Sequence, residues 1–390
     1  MQAAAGHREL RHVVIPEFVF GDGARRLVPH FLRNLGAGRV LLVTDPGVVQ
    51  SGWTGEVVAD LEASGTSAVV FTDVCANPRD DQVMAGAELY AQEGCTAIVA
   101  VGGGSPIDCA KGIGIVASSR RHILEFAGVD VVDVAMPPLV CVSTTTTSAD
   151  ISQFAVITNG VDGTKLAIVS KAIVPDVSLL DPVVYSTLSP EMTAVCGFDS
   201  LGQAIEAYLS NAHSPFTDLL ALDGVRSISR SLKPAITHPA DLDTRGTLMQ
   251  GNLHAGIAFS NASLGLVHAT AHAVGSATDA AHGLCVSAML CPAIEFNYEA
   301  VPERCAALGG AIGARMTGHD VAADKDAFVS ALEDLRRDVG VDTSLRELGV
   351  SEADVPDLVR AALRDPTLVT NPRAASAQDI EAVYERALRQ

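Results

Sequence analysis

The chain predicts an α/β fold with a mainly parallel sheet in its first half and an all-helical second half. Three observations carry this. Short apolar, β-rich runs alternate with helical patterns up to about residue 182. Several of those runs are apolar without alternation, as strands buried on both faces are. Beyond about Ser186 the strand pattern stops, and alanine- and leucine-rich helical segments follow, separated by "HSP", "HPAD" and "TNP".

"HVVIPEFVF" (12–20), "RVLLVT" (39–44), "SAVVFT" (67–72), "TAIVAV" (96–101) and "PPLVCVS" (137–143) are β-rich. Residues 50–64 and 80–93 between them carry apolar positions at helical spacing. Strand–helix alternation of this kind points to a parallel sheet covered on both faces. "QFAVITNGVDGTKLAIVS" (153–170) differs: Asn-Gly and Asp-Gly between two apolar runs mark a hairpin. A boundary near 185 gives domains at 1–185 and 186–390, with the chemistry expected where they meet and at the carboxyl ends of the strands.

Composition narrows the function. The 390 residues are 48% hydrophobic, 19% charged and 4% aromatic, with 34 glycines, which suits an α/β enzyme. A net charge of −19 with no basic run disfavours nucleic acid and anionic membrane as partners. Eight scattered cysteines without a CxxC pair suggest buried free thiols and a cytoplasmic protein. "MQAAAGHRELRH" at the start has no apolar run resembling a signal peptide, and no stretch is long enough to span a bilayer.

Two constellations carry chemistry. In "TAIVAVGGGSPIDCAKG" (96–112) a buried strand meets three glycines, then Ser105 as an N-cap, Pro106 at the first helical position and Asp108 as a capping-box acid. Glycines admit a ligand close to the backbone, and the N–H groups of a helix start favour an anion such as a pyrophosphate. Asp45, closing "RVLLVTD", is placed either to accept hydrogen bonds from a ribose, opposing a 2′-phosphate, or to cap the turn "TDPG". The second constellation is "LGLVHATAHAVGSATDAAHG" (264–283), where His268 and His272 share a helix face and His282 follows ten residues later. Three of the chain's 11 histidines on a nearly uncharged stretch suggest metal binding or catalysis rather than core packing. In "CGFDSLGQAIEAYLS" (196–210) Asp199 and Gln203 also stand four apart, a good metal ligand and a poor one.

Together, "LLVTDPG", "CANP", "VGGGSPIDCAKG", "STTTTSADISQF", "VPDVSLLDP", "FDSLGQAIEAYLS", "FSNASLGLVHATAHAVG" and "HG" resemble the iron-containing, or group III, alcohol dehydrogenase family. The resemblance implies a dehydroquinate synthase-like architecture: an NAD(P)-binding α/β domain, a helical domain for metal and substrate, and hydride transfer between the cofactor and a small alcohol or aldehyde in the cleft. It places the metal, iron or zinc, on Asp199, Gln203, His268 and His282, and makes His272 a candidate proton relay. It associates Asp45, Asn77, Gly103, Gly104, Ser105, Asp108, Thr144, Thr147 and Lys165 with the dinucleotide, NAD in preference to NADP on account of Asp45, and it implies a homodimer or larger homo-oligomer.

The chain departs from the family pattern in two places. Gln203 stands where the family has a ligand histidine, and Thr146 stands where the threonine-rich loop usually has glycine. Three readings therefore stay open. One keeps a divalent metal at an altered site. Another reduces aldehydes without metal, with His272 or His268 as general acid. In the third the chain is a nucleotide-binding pseudoenzyme with a regulatory role.

Overall fold

The structure, a computed structural model, describes residues 12–389. Among the described residues nine strands form two sheets: β1 (Glu17–Phe20), β2 (Arg39–Val43), β3 (Ser67–Phe71), β4 (Ala97–Gly102), β5 (Gly128–Val129), β6 (Leu139–Ser143), β7 (Phe154–Thr158), β8 (Lys165–Val169) and β9 (Val177–Leu180). The main sheet has the order β1-β9-β6-β4-β2-β3, and every pairing in it is parallel. The predicted hairpin is β7–β8, antiparallel, and β5 extends it to a small separate sheet.

Alternate residues of the main strands feed two cores, one on each face. Leu41, Val43, Ile98 and Ala100 pack on one side, while Val40, Leu42, Val99 and Val101 pack on the other. This double burial is why β2, β4 and β6 read as continuous apolar runs. The first strand is shorter than its apolar run, beginning only after Pro16. The stretch 50–64 is not one helix: Pro46–Gln50 and Trp53–Ala63 are separated at Gly52, whose φ of 90° suits glycine.

From Pro182 onward, regular structure is helical among the described residues. A third core, including Phe198, Leu201, Val267 and Leu290, holds the helical half together. In the main sheet the chain passes from β2 outward to β3 and returns to the other side of β2 as β4. This reversal opens a crevice at the carboxyl ends of β2 and β4, a favoured place for a ligand in such sheets. No helix among the described residues is long and apolar enough to cross a membrane.

Candidate active site

The glycine loop lies at this crevice. The helix after β4 runs Gly104–Ser119, and its N-cap is Gly103, with no side-chain cap. The sequence reading of Ser105 as N-cap and Asp108 as capping-box acid is thereby corrected. The helix starts earlier because the glycines turn directly into it, and the Asp108 carboxylate instead accepts Val156 N–H at 3.0 Å, tying the helix to β7. Burial pushes the Asp108 carboxyl up to about 6, against the pull of Lys111 and the Val156 N–H.

The three glycines have different reasons. A Cβ on Gly102 would sit 2.5 Å from the Pro106 ring, and one on Gly103 would sit 2.8 Å from Thr145. Packing alone demands those two. A Cβ on Gly104 meets only the Thr147 side chain, with Oγ1 at 3.3 Å. Gly104 is thus the residue whose missing side chain leaves the helix start open.

The threonine-rich loop after β6 closes over these glycines. Thr144 N–H donates to the Gly102 carbonyl at 2.9 Å, and Thr145 Oγ1 lies 3.2 Å from Thr147 Oγ1. The loop's positive φ falls on Ser148, at 60°, not on Thr146. Threonine is accepted at 146 because no left-handed conformation is required there. The Thr146 carbonyl accepts Ser200 Oγ, which joins this loop to the residue next to Asp199.

Asp45 sits at the end of β2 and caps the following helix, its Oδ1 accepting Val48 N–H at 2.9 Å. Asn77, with φ 56°, reaches across the mouth of the crevice, where its Nδ2 donates to Asp279 Oδ1 at 2.8 Å. Lys165, first residue of β8, points its Nζ at the histidine helix, 3.1 Å from where a Cβ on Gly275 would be. Burial lowers its pKa, with Cys285 and Asp279 opposing.

The second constellation assembles from three helices. Pro190–Leu209 starts cleanly, with Ser189 as N-cap and proline at its first position. It carries Asp199, Gln203 and Glu206 along one face, at spacings of four and three. Leu266–Thr278 carries His268 and His272, and it ends at Asp279 with φ 54°. His282 opens the next helix, His282–Tyr298. A Cβ on Gly283 would lie 2.3 Å from the Val195 carbonyl oxygen. Only glycine lets this helix start press against the Asp199 helix and bring His282 to the carboxylate.

His282 Nε2 lies 3.3 Å and His268 Nε2 3.6 Å from Asp199 Oδ1. The ligand atoms of the three residues all lie within 4.8 Å of one another. Two ligands of a tetrahedral zinc, each at roughly 2.1 Å, stand about 3.4 Å apart, so this spacing fits a shared cation. Gln203 Nε2 donates to Asp199 Oδ2 at 2.9 Å. Asp199 Oδ1, Gln203 Oε1 and His268 Nε2 are buried without a hydrogen-bond partner among the described residues. Unpartnered buried polar atoms are costly, and three in one cluster suit a divalent ion.

Two carboxylates support the histidines, and neither was anticipated. Glu206 accepts Val267 N–H at 2.7 Å and His268 N–H at 3.2 Å, and its Oε2 lies 2.6 Å from His268 Nδ1. It therefore satisfies the start of the histidine helix and leaves His268 Nε2 to face Asp199. Burial works against a charged His268, but Asp199 and Glu206 outweigh it and push its pKa up to about 9. Burial also works against ionised Asp199, yet His282 and His268 hold its carboxyl below the ordinary value. Asp365 Oδ2 lies 2.7 Å from His272 Nδ1, and the His272 ring stacks on His282 with centroids 5.2 Å apart. Glu206 was visible as the third polar residue of a helical stripe. Asp365, 93 residues beyond its partner, had no local signal.

Comparisons with known proteins agree with this architecture. The profile described as "Iron-containing alcohol dehydrogenase" matches residues 16–182, and that described as "Fe-containing alcohol dehydrogenase family, C-terminal" matches residues 193–388. The 1,3-propanediol dehydrogenase of Klebsiella pneumoniae is 36% identical, covering 94% of this chain and 96% of its own. The NAD-dependent methanol dehydrogenase of Bacillus methanolicus is 33% identical, covering 96% of this chain and 98% of its own. A crystal structure of 1,3-propanediol oxidoreductase superposes with a TM-score of 0.94 at 35% identity, over 97% of this chain and all of that one. The chain belongs to the iron-containing alcohol dehydrogenase family and is an oxidoreductase of alcohols and aldehydes.

Proposed function

We propose that the protein moves a hydride between NAD(H) and a small alcohol or aldehyde, with a divalent iron or zinc held by Asp199, His268 and His282 and assisted by Gln203. The observation that carries this reading is the cluster of unpartnered buried atoms on Asp199, His268 and Gln203. Residues 1–185 act as the nucleotide half and 186–390 as the metal and substrate half. The short-chain substrates named in the two relatives support the substrate class, and the NAD-dependent one supports the cofactor.

When bound, NAD(H) supplies or accepts the hydride, and the cation supplies Lewis acidity toward the reacting oxygen. The chain's own residues do the rest. Free N–H groups at Gly104 and Ser105 hold the pyrophosphate, with Gly103 allowing close approach and Thr144 and Thr147 closing over it. Asp45 faces the ribose, and Asn77, Asp108 and Lys165 complete the cradle. His272 takes up or releases the proton at Nε2, since its Nδ1 is engaged by Asp365. The Gln203 amide steadies Asp199, through Oδ2, so that Oδ1 faces the cation.

The test is reduction of a panel of short aldehydes by NADH, before and after complete removal of metal. Loss of turnover on chelation, restored by iron or zinc, supports the reading. Turnover that survives metal removal overturns it in favour of an imidazole acid, and nucleotide binding without any turnover overturns it in favour of a pseudoenzyme.

Asp45 yields a separate expectation. A carboxylate beside the ribose repels a 2′-phosphate dianion. Asp45→Ser, which keeps an N-cap oxygen for Val48, is expected to raise kcat/KM with NADPH by about ten-fold, or ~1.4 kcal/mol. Steady-state rates with both cofactors check this, and a native preference for NADP(H) would show the assignment wrong.

Seven of the eight cysteines are buried and all eight are free, which supports a reducing, cytoplasmic setting. Phe18 and Phe20 on the edge strand β1 are exposed, which supports a homodimer or larger homo-oligomer. Sedimentation should show more than one chain per particle.

A further inference from the structure

His272 is clamped by a carboxylate that is itself clamped. Asp365 Oδ2 lies 2.7 Å from His272 Nδ1. The other oxygen, Oδ1, accepts Thr367 N–H at 2.9 Å and Thr367 Oγ1 at 2.6 Å. The segment that follows is strapped to the start of the histidine helix: Thr370 Oγ1 donates to the Leu264 carbonyl at 2.6 Å, and Asn371 Oδ1 accepts Leu266 N–H at 3.0 Å. The carboxylate therefore cannot swing away without disturbing buried contacts, since Thr367 is 2% and Asn371 4% exposed. An ionised carboxylate only accepts hydrogen bonds, so the imidazole nitrogen facing it must carry a proton.

We propose that Asp365 is a positioning residue for proton transfer: it fixes His272 as the Nδ1–H tautomer and orients the ring, leaving Nε2 to exchange a proton with the reacting oxygen. This rests on the reading of His272 as the proton relay. The ring is 19% exposed and has His282 stacked against it. Asp365 does not touch the substrate; it acts through His272.

Asp365→Asn keeps an acceptor for Thr367 but turns an amide N–H₂ toward Nδ1, which favours the opposite tautomer. In aldehyde reduction by NADH, kcat is expected to fall by at least about ten-fold, while the aldehyde KM and NADH Kd stay within about two-fold. The solvent deuterium isotope effect on kcat should rise as the proton step becomes limiting. In a His272→Ala background the same substitution should change kcat by less than about two-fold, because the partner through which it acts is gone. If the asparagine variant does not fold, Asp365→Ser retains an N-cap and removes the contact. Equal losses in both backgrounds would show that Asp365 only stabilises the fold and would overturn the proposal.

A second readout does not need turnover. Nitrogen NMR of the zinc-loaded protein should show the His272 proton on Nδ1, moved to Nε2 in Asp365→Asn. A native His272 protonated on Nε2 alone would overturn the proposal even in an active enzyme. Absence of turnover with every alcohol and aldehyde would overturn the proposed function while the nitrogen spectrum still decides the tautomer.

Discussion

Gly104→Val is expected to weaken NADH binding by roughly a hundred-fold while the protein still folds, a loss of ~2.7 kcal/mol. The size follows from what the substitution removes. Backbone N–H groups bonded to a phosphate are charge-assisted and contribute about 1.5–3 kcal/mol each, and a valine side chain at the helix start blocks their approach. The fold survives because the Gly104 backbone is not left-handed and a Cβ there meets only the Thr147 side chain, with Oγ1 at 3.3 Å. Thr147 has to yield by a few tenths of an ångström. The neighbouring glycines cannot serve this purpose, since Gly103→Val would drive into Thr145 and Gly102→Val into Pro106. Calorimetric titration with NADH, paired with a thermal melt, separates the two effects. Unchanged affinity in a folded variant would remove this loop from the nucleotide site.

The glycine loop also shows where sequence reasoning holds and where it stops. The strand before it, β4, was legible because both its faces are buried, so apolar residues run without a gap. The loop was legible as a tight strand-to-helix junction. That Gly103 answers to Thr145 was not, because Thr145 comes from another strand's end. The same distinction separates the histidines from their supports. His268, His272 and His282 announced themselves by local spacing on an uncharged background. Glu206 was overlooked although it continues the Asp199 and Gln203 stripe, because an acid on a helix ordinarily reads as a solvated residue, and here it is buried at 3% exposure. Asp365 lies in a short turn whose partner is in a helix far earlier in the chain. Only the fold brings them within hydrogen-bond distance. Ser105 was misplaced as a cap for a related reason: the capping motif is a pattern of residue types, and glycine at 103 and 104 let the helix begin before the pattern applies.

Removing the charge at Asp199 is expected to weaken metal binding sharply, and restoring an imidazole at 203 is expected to strengthen it. Asp199 is the residue on which the cluster converges, with His282 Nε2 at 3.3 Å and His268 Nε2 at 3.6 Å from the same oxygen. Asp199→Asn leaves a neutral oxygen for a divalent ion and should weaken zinc affinity by at least about a hundred-fold, beyond the ten- to hundred-fold typical of groups that only orient ligands. Gln203 stands differently. Its Nε2 is occupied with Asp199 Oδ2, and its Oε1 is buried without a partner among the described residues. A neutral amide oxygen is a weaker donor than imidazole toward zinc or iron, so Gln203→His should tighten binding by roughly ten-fold or more. Activity need not follow, because the histidine replaces the amide that steadies Asp199. The measurement is a metal titration of stripped protein for native, Asp199→Asn and Gln203→His forms, with His268→Ala as the control. Binding that is equal in all four would take the cation away from this cluster. Native protein that binds no metal yet still reduces aldehydes would instead make Gln203 the mark of a changed mechanism, with proton transfer by His272 carrying the reaction.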